Sequence, residues 1–169
     1  MGKLLRNIFF ALCGVAIVVS CNTNGCLDNQ SSIPLAGFYA MDTKKAITID
    51  SISVYGIGVP NDSMILRNAK GIKQVYLPFR LNANVTEYVI HYDQKTLADI
   101  RNNDTLTFKY KSIPYFVSNE CGAMYQYEIE DFAYTRHLID SLGLVSKKIT
   151  NVNVESMKIY MRTKTKPTK

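Results

Sequence analysis

Two histidines and one group of acids are the side chains of this sequence best equipped for proton transfer or metal binding. His91 lies between Ile90 and Tyr92, and His137 follows Arg136. A general base needs a group that orients it, and the sequence identifies no such partner for either histidine. Glu128, Glu130 and Asp131 could hold a divalent cation, because carboxylates at alternate strand positions face one side. The plainer reading makes Glu128 and Glu130 the solvated face of a strand whose other face carries Tyr127 and Ile129. There is no Gly-x-Ser-x-Gly elbow, no His-Glu-x-x-His helix and no phosphate loop. Gly56-x-Gly58 lacks a third glycine and reads as a turn. The sequence therefore assigns no catalytic residue, no metal ligand and no cofactor. A small periplasmic hydrolase using His91 or His137 with a nearby carboxylate stands as the alternative to a non-enzymatic module. A pocket holding either histidine within hydrogen-bond reach of an acid would favour it.

The cysteines carry a different chemistry. Lys3 and Arg6 form a basic start, and Ile8 to Val19 form an apolar run interrupted only by Gly14, the pattern of a signal peptide. A membrane-spanning helix needs about twenty apolar residues, so the run is too short for a permanent anchor. Val18-Val19-Ser20-Cys21 resembles a bacterial lipobox, whose cysteine is acylated on sulfur and, after cleavage, on its amine. Cys21 is the expected lipidation site. Cleavage there divides the chain into a signal peptide (1–20), a lipidated tether (21–32), a folded domain (33–163) and a basic flexible tail (164–169). Cys13 leaves with the signal, so only Cys26 and Cys121 keep thiols. Two thiols in an oxidising compartment suggest one disulfide. Two buried free cysteines, or a redox or metal site, are the alternatives.

The domain that positions these groups follows from composition and periodicity. Hydrophobic residues make up 47% of the chain and charged residues 20%, so the mature part should fold, and it is the size of a single domain. Removing Lys3 and Arg6 from the 20 basic residues leaves 18 against 14 acids, a charge of +4. Arg162, Lys164, Lys166 and Lys169 account for that excess, and the remainder is near neutral. No basic, aromatic-interleaved face is expected, which speaks against a nucleic-acid partner. The tail reads as a frayed end or as a contact for anionic lipid headgroups. Ile47 to Tyr55, Thr86 to Tyr92, Thr105 to Tyr110, Ala123 to Ile129 and Met157 to Met161 alternate with period two and are rich in β-branched and aromatic residues. Ser112 to Val117 continues extended across Pro114, and Gln94 to Arg101 reads as a single helical turn inside a long hairpin loop. Eight or so short strands with no long helix predict an all-β, antiparallel two-sheet β-sandwich of immunoglobulin-like type.

Tyr55-Gly56-Ile57-Gly58, Leu77-Pro78-Phe79 and Phe116-Val117-Ser118-Asn119-Glu120-Cys121-Gly122, with a cysteine just after the lipobox, resemble a family of small uncharacterised Bacteroidetes lipoproteins. The resemblance covers most of the mature chain. It implies an extracytoplasmic, lipid-anchored β domain and no particular activity or ligand. The residues after Cys21, Asn22-Thr23-Asn24-Gly25, lack the acids that surface-bound lipoproteins of that group tend to carry, which implies an outer-membrane anchor with the domain facing the periplasm. Asp50-Ser51-Ile52, Asp62-Ser63-Met64, Asp104-Thr105-Leu106 and Asp140-Ser141-Leu142 resemble its general O-glycosylation site, making Ser51, Ser63, Thr105 and Ser141 candidate acceptors. Equally, Asp-Ser and Asp-Thr are turn pairs before the apolar start of a strand. The expectation is a lipid-anchored envelope protein acting as a binding or structural module for a protein or glycan partner.

Overall fold

A computed structural model describes residues 31–59, 63–118 and 122–162. Among these residues ten strands follow one another: β1 (Leu35–Ala40), β2 (Ile52–Gly56), β3 (Met64–Ala69), β4 (Gln74–Tyr76), β5 (Val85–Tyr92), β6 (Asp104–Ser118), β7 (Gly122–Tyr134), β8 (Ile139–Leu144), β9 (Lys148–Ile149) and β10 (Glu155–Met161). They form a four-stranded sheet in the order β4-β1-β10-β8 and a six-stranded sheet in the order β3-β2-β5-β6-β7-β9, packed face to face. The all-β sandwich expected from the alternation is the observed architecture.

The alternation works as pleated strands require. In β5, Thr86, Tyr88, Ile90 and Tyr92 are buried while Glu87, Val89 and His91 are less so. The helical turn expected near Gln94–Arg101 is a single 3-10 turn at Ile100–Asn102, capped by the Asp99 carboxylate, which accepts from the Arg101 amide. Two features depart from the expectation. One pair is parallel: β1 runs alongside β10 from Leu35↔Glu155 to Ala40↔Met161, whereas every other pairing is antiparallel. Period two reports which face a residue takes and is silent on strand direction. The strands are also not all short, since β6 and β7 span 15 and 13 residues and form one long hairpin. β5 covers β6 only as far as Val85↔Lys109. Pro114, which lacks an amide hydrogen, therefore sits where no strand flanks the outer edge of β6 among the described residues.

The core is closed by the crossing from β4 to β5. Phe79 stacks on Tyr110 with centroids 4.2 Å apart and meets Tyr127 edge-on at 5.5 Å. Three hydroxyls around this segment are engaged: Tyr110 donates to the Arg80 carbonyl, Tyr88 donates to the Pro78 carbonyl, and Thr86 shares a hydrogen bond with Tyr110. The Leu77-Pro78-Phe79 segment is thus the plug between the sheets.

The sandwich has two distinguishable poles. Leu35, where the described chain enters β1, lies beside Glu155 and Tyr76 at one of them. The ends of β1 and β10, at Ala40 and Met161, lie at the other.

Candidate functional site

The loops at the far pole enclose a cleft of about 560 Å³ between the sheets, within the range of ligand sites. Ile47, Thr48, Ile49 and Asp50 line it from the β1–β2 connection. Tyr92, Gln94, Thr96 and Leu97 come from the end of β5 and its following loop. Leu138 precedes β8, and Met161 with Arg162 closes the wall at the end of β10. The lining combines the aliphatic side chains of Ile47, Ile49, Leu97, Leu138 and Met161 with the polar ones of Thr48, Asp50, Gln94, Thr96 and Arg162.

Hydrogen bonds fix these loops to one another. Ile49 and Ile72 exchange backbone bonds of 2.9 Å. Asp50 accepts the Gly71 amide at 2.5 Å with its side chain and the Gln94 side-chain amide at 3.2 Å with its carbonyl. Asn102 donates to the Leu97 carbonyl at 3.1 Å. The Arg162 amide donates to the Leu138 carbonyl at 2.9 Å, and its guanidinium lies 3.6 Å from Asp140.

Beneath the cleft, Asp104 is fully buried and gathers five donors. Its Oδ1 accepts from the Thr135 hydroxyl (2.9 Å) and the His137 amide (2.8 Å). Its Oδ2 accepts from the Tyr92 hydroxyl (2.9 Å) and from the amides of Leu138 (2.8 Å) and Ile139 (2.9 Å). Burial, with the Asp104 charge second, pushes the Tyr92 phenol far above its ordinary range and keeps it a donor. Two lining residues, Tyr92 and Leu138, are therefore held by one carboxylate. In the sequence Asp104 stands out only as the first residue of the glycosylation-like triplet Asp104-Thr105-Leu106. Its latch role joins residues 31 to 35 positions apart, a separation that no local motif records.

Neither histidine lines the cleft. His91 contacts Asn103 Oδ1 through Nδ1 at 2.7 Å, and its Nε2 lies 3.6 Å from Asp93, too long for a hydrogen bond. Ser53 donates to Asp93 at 2.8 Å and accepts the Asn68 amide at 2.9 Å. A nucleophile–base relay needs serine bonded to histidine, and here the aspartate stands between them. His137 is exposed, and its backbone carries its contacts, with the amide on Asp104 and the carbonyl facing Arg162 at 3.5 Å.

The acids of β7 are answered by lysines. Glu130 pairs with Lys111 at 2.5 Å, and that lysine holds its carboxyl below the usual range. Glu128 lies in register with Lys111 and Lys148, and Asp131 with Lys109. Among the described residues no group of three or more His, Cys, Asp or Glu is placed to hold a metal. Of the glycosylation candidates, Ser63 is exposed, whereas Ser51, Thr105 and Ser141 are half-buried. Asp50, Asp104 and Asp140 are engaged as above, and Asp62 lies outside the described residues. Cys21, Cys26, Cys121 and the lysines of the tail also lie outside them. Among the described residues no helix is long and apolar enough to cross a membrane.

Comparison with known protein families matches residues 51–161, more than half of the chain, to a family of unknown function (DUF6452). No curated protein and no solved structure matches the chain.

Proposed function

This chain belongs to the DUF6452 family of unknown function, and we propose from its own geometry that it is a lipid-anchored envelope protein that receives a protein partner in its far-pole cleft. The observation that carries the reading is the position of the cleft: it opens at the pole opposite Leu35, where the chain arrives from Cys21. An outer-membrane anchor at Cys21, facing the periplasm, would present the cleft away from the bilayer. Its lining favours a protein over a glycan. Sugars stack on flat aromatic faces, and here Tyr92 is the sole ring among aliphatic side chains, with its hydroxyl committed to Asp104. Aliphatic lining side chains accompanied by polar ones suit an apolar side chain of a partner. Ile100, on the loop that supplies Gln94, Thr96 and Leu97, is 76% exposed.

A disulfide between Cys26 and Cys121 belongs to the same reading. Ile33, seven residues beyond Cys26, lines a groove with Ile149 and Ser156. Asn151, on the connection that leads to β10, contacts Met124 of the β6–β7 ribbon at 3.8 Å. The segments flanking both cysteines thus converge on the entry pole, which supports the pairing.

The test is affinity capture from envelope membranes with the lipidated chain and with Leu97→Arg, which puts a charge into the cleft. A protein retained by the parent and lost with the variant is the expected result. Retention by both would refute the cleft as the docking site. Turnover of an ester or peptide substrate abolished by His91→Ala would overturn the reading in favour of a hydrolase.

A further inference from the structure

Beyond Lys109 the β6–β7 hairpin leaves the cover of β5, and past the pairing of Tyr127 with Ile149 of β9 it continues as a two-stranded ribbon from Ile113↔Gln126 to Ser118↔Gly122. Its side chains do not suit water. Phe116 is 63% exposed, and Ile113, Tyr115 and Tyr125 are also exposed, with Pro114 among them. β6 begins at the cleft pole, where Asp104 meets Tyr92, and runs away from it, so the ribbon ends at the entry pole. The contact between Met124 and Asn151 confirms that placement, since Asn151 precedes Glu155, the partner of Leu35.

We infer that this aromatic ribbon rests in the interfacial layer of the bilayer that holds Cys21. The inference builds on the lipid-anchor reading. Nine residues lie between Cys21 and Ser31, and the ten steps from one to the other span at most about 36 Å even when fully extended. The entry pole therefore stays within that distance of the anchor, and Phe116, Tyr115 and Tyr125 of the ribbon, with Tyr76 beside Leu35, are exposed rings on that side. Tyrosine and phenylalanine suit such a layer because their rings leave water while a phenol still meets headgroups. Pro114 on the free edge disfavours a further strand as the occupant, because a neighbouring strand would find no amide hydrogen there.

The chain has no tryptophan, so a single introduced indole reports its own position. The lipidated full mature chain carrying Phe116→Trp is reconstituted into phosphatidylethanolamine–phosphatidylglycerol vesicles containing brominated acyl chains. The expected result is a blue-shifted emission that the bromine quenches, reproduced by Tyr115→Trp. Ile100→Trp, at the cleft pole, should keep a water-exposed, unquenched spectrum. Vesicle-bound, acylated protein whose indole at 116 stays unquenched would overturn the inference and leave the anchor standing. A mature mass without acyl chains on Cys21, and no vesicle binding, would sink the anchor reading and this inference with it.

Discussion

Replacing Asp104 with asparagine changes one atom and should be among the costliest substitutions in the domain. An amide accepts through its oxygen and donates through its nitrogen, so one of the two donor groups around Asp104 must face a donor. If the nitrogen takes the Oδ2 position it meets the Tyr92 hydroxyl and the amides of Leu138 and Ile139; in the other orientation it meets the Thr135 hydroxyl and the His137 amide. Hydroxyls can turn away, but backbone amides cannot. One or two buried N–H groups are left without an acceptor, at about 1–3 kcal/mol each, so Asp104→Asn should lose about 2–4 kcal/mol. In urea, with a slope of about 2 kcal/mol/M, the midpoint should fall by roughly 1–2 M. Asp140→Asn is the control, because Asp140 faces Arg162 at 3.6 Å near the surface and should cost less than about 1 kcal/mol. Because Tyr92 and Leu138 line the cleft, Asp104→Asn should also weaken partner capture under native conditions. An Asp104→Asn protein within about 0.5 kcal/mol of its parent would refute the latch.

Three further outcomes are expected. Burial raises the Tyr88 and Tyr92 phenols far above their ordinary range, so each contributes stability that is complete below pH ~10 and lost above it, at about 1.4 kcal/mol per pH unit; reversible ionisation of all 11 tyrosines in the native protein, followed by ultraviolet absorbance, would contradict this. Gly37→Ala sets a methyl against the Glu155 carboxylate and the Tyr39 ring and should cost about 1 kcal/mol. Because the Tyr39 phenol is raised first by its hydrogen bond to Glu155, its titration should also move down toward the ordinary value, and an unmoved Tyr39 would show that Glu155 keeps its place. The unreduced mature protein should have a mass two hydrogens below the dithiol form, and Cys26→Ser should cost about 2–5 kcal/mol; two alkylatable thiols in the native protein would rule the bond out.

The face of each strand was legible because burial imposes period two: Thr86, Tyr88, Ile90 and Tyr92 turn inward as their spacing predicts. The run across Pro114 was legible for a similar reason, since proline tolerates an extended edge. The parallel pairing of β1 with β10 was not, because alternation is the same in either direction. The cleft escaped as well. Ile47, Leu97, Leu138 and Met161 come from four places in the chain and meet only once the sheets are packed. At His91 the fold brings Asp93 near the ring, a neighbour the sequence did not single out, while Ser53 and Asn103 engage that acid and the ring separately.

The placement of β1 beside β10 also dictates the order in which the protein can be made. The Leu35 amide donates to the Ser156 hydroxyl across 121 residues of sequence, and β1 and β10 are the two inner strands of their sheet. The hairpins of the six-stranded sheet join near neighbours and can close while the chain is still emerging. β1 has to wait, with Phe38 uncovered, until β10 is delivered, and a chain cut short before Glu155 leaves it without its central partner. Pulsed hydrogen exchange during refolding should accordingly protect β5 and β6 before β1. A β1 protected first would contradict that order.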